Sequence, residues 1–198
     1  MITILDLIAT FAFALVGARI AADRRMDYAG ILLIATVASL TGGSLRNLFL
    51  GERPIWIQEP WYFLSILLAV GITIALKNKK PVGKVVLALD SLGLAVATVS
   101  GVQYSLDNGA PSYAALILGV LAAVAGGLLR DVLCQVEPIL LHRETIGTSC
   151  TLGAVVYVFL EPTAMTNAAV ALIAGLVIVL FRSLSIKKGW NLPKVRKM

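Results

Sequence analysis

The chain is poor in the groups that do chemistry in water. Its 198 residues hold one histidine, His142, and two cysteines, Cys134 and Cys150, with no CxxC or other metal-ligand spacing. That excludes a zinc site and a disulfide framework and leaves two free core thiols. No phosphate loop and no nucleophile–base arrangement occurs, so neither enzymatic activity nor a cofactor is expected. Charged residues make up only 14% of the chain against 59% hydrophobic ones, a balance that excludes a soluble domain and describes an integral membrane protein. The net charge of +6 does not point to nucleic acid, because the basic residues cluster in short segments between apolar runs. A basic leader is also missing. Met1 to Ile20 matches the internal segment around Leu89 to Tyr104, so it reads as a retained first helix rather than a cleaved signal peptide.

What is present is a series of long apolar runs. Seven segments approach the roughly 20 residues needed to cross a hydrocarbon core: 3–20, 28–50, 60–76, 85–105, 112–134, 145–160 and 164–182. The turns between them carry Asp, Arg, Lys, Asn, Gly and Pro, and Trp56, Trp61 and Tyr62 gather where amphipathic rings favour the membrane interface. The expected fold is all-α and multi-pass. Fourteen of the 17 Lys and Arg residues fall on one side: Arg19, Arg24, Arg25, Lys77, Lys79, Lys80, Lys84, Arg143, Arg182, Lys187, Lys188, Lys194, Arg196 and Lys197. Arg53 stands opposite. Positive charge marks cytoplasmic loops, so the N-terminus is expected outside a plasma membrane and the C-terminus inside. Residues 184–198 then form a basic cytoplasmic tail, and His142 is a solvated group in a cytoplasmic turn.

The chain repeats itself. TGGSLRNLFLGERP, Thr41 to Pro54, returns as AGGLLRDVLCQVEP, Ala125 to Pro138, at a constant offset of 84. Leu5-Asp6 falls on Leu89-Asp90, Gly17 on Gly101 and Asp23 on Asp107. Each copy, 3–76 and 85–160, holds three spans, and an odd number of crossings inverts the second copy. The expected architecture is therefore two inverted three-helix repeats with a seventh helix, 164–183, inside a single transmembrane domain, 1–183. Inverted repeats recur in transport proteins, with the site at the repeat interface.

Thr36, Ser39, Gly43 and Arg46 or Asn47 share one face of the second span. Gly42-Gly43 predicts a kink whose freed carbonyls survive only against protein or water. A monovalent cation could then sit at backbone carbonyls near Gly42, Gly43, Gly126 and Gly127. The fifth span repeats the device with Gly126, Gly127, Arg130 and Asp131. The competing reading is that small residues let helices approach, and both can hold. Arg46 and Arg130 lie one turn inside their helix ends, where an ionisable group either snorkels or faces a partner. Asp6 lies at the depth of Arg46, and Asp90 at that of Arg130, so two symmetric pairs could close the two mouths of one pathway. Asp131, whose repeat mate is Asn47, reads equally as a cation-attracting wall group or as a structural partner of Arg130. The stripes Asp6, Ala9, Phe13, Gly17 and Asp90, Gly93, Ala97, Gly101 read as packing faces, as does Ile146 to Ala154.

With GG-x-x-R-[ND] in the second and fifth spans, inverted repeats and a seventh helix, the chain resembles the trimeric intracellular cation channel family over about residues 3–183. The resemblance implies a homotrimer in the bilayer, with one pore per subunit lined by the kinked second and fifth helices. It also implies passage of potassium and some sodium. Gly42, Gly43, Gly126 and Gly127 then correspond to the kink, and Arg46, Arg130 and Asp131 to the charged positions. The chain departs from bacterial relatives with three glycines and R-D in both copies: Thr41 and Ala125 precede its pairs, and Asn47 replaces the first acid. No TVGYG-like filter occurs, so modest selectivity is expected. The alternative is a secondary carrier for a small solute such as a neutral amino acid, with Arg46 or Arg130 holding its carboxylate.

Overall fold

The structure, a computed structural model, describes residues 2–76, 84–136 and 146–190. Among these residues every element is helical. Long helices are α1 (Ile2–Asp23), α2 (Tyr28–Leu50), α5 (Lys84–Asp107), α6 (Ser112–Leu133) and α8 (Asn167–Lys188). Shorter ones are α3 (Ile55–Gln58), α4 (Trp61–Leu76) and α7 (Ile146–Leu160). The five long helices are apolar enough to cross a membrane. Lys77 to Lys80, Pro138, His142, Arg143, Glu144 and the tail from 191 onward lie outside the described residues.

Local chemistry sets the helix ends. Asp27 caps α2 by accepting the Gly30 N–H at 2.7 Å, satisfying one of the donors a first turn leaves free. At its far end Gly51 takes φ 73°, a left-handed geometry that a Cβ would oppose. Thr166 and Gly189 do the same for α8. Both α2 and α6 run unbroken through their glycine pairs, so the expected kink does not appear as a break in either helix.

The distribution of side chains is inside-out. Leu33, Leu67, Leu68, Leu172, Leu176 and Leu180 face outward, whereas Arg46, Asn47, Asp90, Arg130, Asp131 and Arg182 are buried. Hydrocarbon outside makes that arrangement favourable, because charged groups can be paired only among the helices. This is an all-helical membrane protein.

Packing follows the repeat. α1 lies on α2 as α5 lies on α6, α4 leans on α1 and α2, and α7 leans on α5 and α6. The halves join where α1 meets α5 and α2 meets α6. α8 stands apart from the repeat and covers α5 and α7, where Gly153 accepts the Ile178 side chain. Gly17 brings α1 against Ala35 and Ala38 of α2, and Gly101 brings α5 against Gly119 and Ala122 of α6. Those contacts are the same pair of positions, 84 residues apart.

Candidate functional site

The crossing of α2 and α6 divides the work of each glycine pair. A Cβ on Gly42 would be driven into the carbonyl oxygen of Ala122, and one on Gly126 into the carbonyl oxygen of Ala38. Ala38 and Ala122 are repeat mates, so the contact is reciprocal: each helix offers a glycine to the other's backbone. Gly43 has nothing within 4 Å of an added Cβ, and Gly127 meets only the Arg130 guanidinium at 3.7 Å. One glycine of each pair is packed and its neighbour faces space.

That space is two cavities. The first, about 50 Å³, is bounded by Asp6, Thr10, Ser39, Gly43, Arg46 and Tyr62 among others. The second, about 20 Å³, is bounded by Asp90, Gly127, Arg130, Asp131 and Leu94 with their neighbours. These volumes admit one or a few waters. Gly43 and Arg46 of the first match Gly127 and Arg130 of the second.

Each cavity carries a buried ion pair. Arg46, 3% exposed, donates from Nη2 to Asp6 Oδ2 at 3.1 Å and from Nε to Asn47 Oδ1 at 3.0 Å. The Tyr104 ring lies against its other side, 4.1 Å from centroid to guanidinium, a cation–π contact that burial strengthens. Asn47 donates onward to the Arg53 carbonyl at 2.9 Å and to Tyr104 Oη at 3.4 Å. Arg130 donates from Nη1 to Asp90 Oδ1 at 3.2 Å and from Nε to Asp131 Oδ1 at 2.8 Å. Neither arginine snorkels.

The two sites differ at two positions, Asn47 against Asp131 and an arginine present only in the second. Arg182, counted from its sequence among the basic residues at the cytoplasmic end of the seventh span, is 1% exposed within α8. It donates from Nη2 to Asp90 Oδ2 at 3.0 Å and from Nε to Ser91 Oγ at 2.7 Å. The physical reason is its place: it lies 15 residues beyond Asn167, on the buried face with Ile178 and Ser185. Asp131 stands where the first half has Asn47, and Arg182 is the added cation of the second cluster, joined to it through Asp90.

Other expected residues are placed as follows. Ser39 borders the first cavity, its hydroxyl donating to the Ala35 carbonyl at 2.8 Å. Thr36 is not among the residues bounding either cavity, and its hydroxyl donates to the Leu32 carbonyl at 2.8 Å. Asn47 is fully buried and acts on Arg46 rather than on the cavity wall. Tyr62, expected only as an interfacial ring, is 4% exposed and borders the first cavity. A charge reversal tests the first pair. Asp6→Arg alone leaves two buried cations and should cost about 3–5 kcal/mol of stability. Adding Arg46→Asp should return a measurable part of it in a thermal melt, and no recovery would mean the pair is not coupled.

Comparison with known proteins gives a consistent set. A family model described as Glycine transporter matches the chain twice, over residues 3–78 and 87–162. The UPF0126 inner membrane protein YadS of Escherichia coli (strain K12) is 31% identical over 193 residues, covering 96% of this chain and 93% of the relative. A UPF0126 membrane protein of Vibrio cholerae is 29% identical over 201 residues, covering 97% and 81%. The structure of the TRIC trimeric intracellular cation channel orthologue from Rhodobacter sphaeroides superposes with a TM-score of 0.89 at 31% identity, covering 96% of this chain and 98% of that one. A structure solved to explain conductance through TRIC cation channels superposes at 0.84 with 28% identity, covering 99% and 98%.

Proposed function

The chain belongs to the trimeric intracellular cation channel family, which the Glycine transporter model also describes, and from that premise we propose that it is a potassium-permeable channel with one conduction path per subunit. The path runs between α2 and α6, through the Asp6–Arg46 cavity at one end and the Asp90–Arg130 cavity at the other. The subunit has seven spans, in two inverted repeats plus α8, and assembles as a homotrimer in the cell membrane with its N-terminus outside and C-terminus inside. The matching of Asp6–Arg46 with Asp90–Arg130, and of Gly42–Ala122 with Gly126–Ala38, supports a two-fold axis in the membrane plane. The observation that carries the reading is the pair of cavities at one helix crossing, each bounded by an ion-paired arginine and by the glycine of its pair that the crossing leaves open.

A carrier in which Arg46 or Arg130 holds the carboxylate of glycine or a similar solute needs that cation free. Here Arg46 is engaged by Asp6 and Asn47, and Arg130 by Asp90 and Asp131. Cavities of about 50 and 20 Å³ are also far below the usual several hundred Å³ of a solute pocket. Geometry therefore favours ions.

The test is single-channel recording of purified protein in planar bilayers under a potassium gradient, beside Gly43→Leu with Gly127→Leu. These two glycines face the cavities, so leucine should fill the path without forcing α2 from α6. Discrete currents reversing near the potassium potential, absent from the folded double variant, are expected. Silent bilayers together with saturable solute uptake into liposomes would establish a carrier instead.

A further inference from the structure

The two cavities meet at one side chain. Phe13 of α1 is the residue common to the described walls of both. It stands halfway along α1 and is 4% exposed. Its ring lies over Gly93 of α5, where an added Cβ would come within 3.2 Å of the ring edge. Around it Ala9 and Ala97 border the first cavity, Leu94, Val124 and Ile146 border the second, and Ala12 also reaches Gly93.

The repeat explains why there is one ring and not two. Eighty-four residues beyond Phe13 stands Ala97, which borders the first cavity. The glycines at 17, 42 and 43 and the Asp6–Arg46 pair have mates in the second half, but positions close to the symmetry axis face their own mates. Two phenyl rings there would compete for one volume, so one half supplies the ring and the other a methyl group. Symmetry is broken where a single body must block a single opening.

We propose that Phe13 is the septum of the permeation path, its phenyl ring closing the passage between the Asp6–Arg46 and Asp90–Arg130 cavities. The inference rests on the channel reading. A cation between the two cavities would have to leave its water beside an aromatic ring that offers it no oxygen, and apolar constrictions of this kind empty of water and stop conduction. Opening needs a change of side-chain well at χ1, and Gly93 provides the floor without a Cβ that would trap the ring. Phe13 is thus the step at which passage is granted, while the arginine pairs govern the approaches.

The experiment compares wild type, Phe13→Ala, Phe13→Leu, and Phe13→Ala with Ala97→Phe in planar bilayers under a potassium gradient. Thermal melts and size-exclusion profiles report folding. Phe13→Ala should raise open probability or unitary current several-fold, and Phe13→Leu, which keeps an apolar contact with α5, should fall between. Moving the ring to its repeat mate, by Ala97→Phe in the Phe13→Ala background, should restore closure. A folded Phe13→Ala or Phe13→Leu variant that conducts like a conducting wild type overturns the septum and leaves the channel standing. Currents in Phe13→Ala with a silent wild type support both readings. Silence in every folded variant overturns the channel reading and the septum with it.

Discussion

Gly42→Ala and Gly126→Ala should each destabilise the protein severely, while Gly43→Ala, one residue away, should leave it folded. The new methyl at 42 points into the carbonyl of Ala122, and that at 126 into the carbonyl of Ala38. A backbone carbonyl is not the flexible tip of a side chain and cannot swing aside, so α2 and α6 must separate along their whole crossing. Overpacking in an ordinary core costs about 1–3 kcal/mol; here the upper end or beyond is expected, because the displaced body is a helix. Gly43→Ala meets nothing within 4 Å and removes a poor helix former, a gain of up to about 1 kcal/mol on soluble scales. Thermal melts in detergent decide the matter. A Gly42→Ala protein as stable as Gly43→Ala would mean that the helices do not approach this closely.

Arg182→Leu should cost about 3–5 kcal/mol, and Asp131→Asn in the same chain should restore much of it. Arg130 and Arg182 face Asp90 and Asp131 in a neutral cluster, with Asp90 accepting from both arginines. Removing Arg182 leaves two carboxylates and one guanidinium out of water. Replacing Asp131 by asparagine returns the charge to zero and reproduces the first half, where Arg46 sits with Asp6 and Asn47. A double-mutant cycle measures this, and coupling of at least ~1 kcal/mol is expected for neighbours in one ion-pair network. Losses that simply add would show that Asp131 is present for another reason. Whether Asp131 balances Arg182 or attracts cations is therefore an experimental question with two separable answers.

The long helices were readable because their signals are strong: apolar runs of spanning length, separated by turns of Asp, Arg, Lys, Asn, Gly and Pro. The depth of Asp6 and Asp90 was readable from the repeat register, and the structure places them 3.1 and 3.2 Å from Arg46 and Arg130. The division of labour within each glycine pair was not readable. Neighbouring helical positions point about 100° apart, and only the position of the opposing helix decides which one is packed. Arg182 escaped for a different reason. Its sequence neighbourhood, with Lys187 and Lys188 close behind, reads as a charged helix end. The clue was the Asn47/Asp131 mismatch, an unbalanced acid that asked for a third cation. Phe13 hid inside a stripe of small residues that reads as a packing face.

The reciprocal Gly42–Ala122 and Gly126–Ala38 contact also sets a timetable. A ribosome finishes α2 before α6 exists, and 80 residues separate Gly42 from Ala122. At about 5–20 residues per second that is a wait of roughly 4–16 seconds. Through that interval Gly42 lacks the Ala122 backbone it packs against in the finished fold. The nascent first half is thus a half-built clasp, and the protein acquires its final form only late in translation.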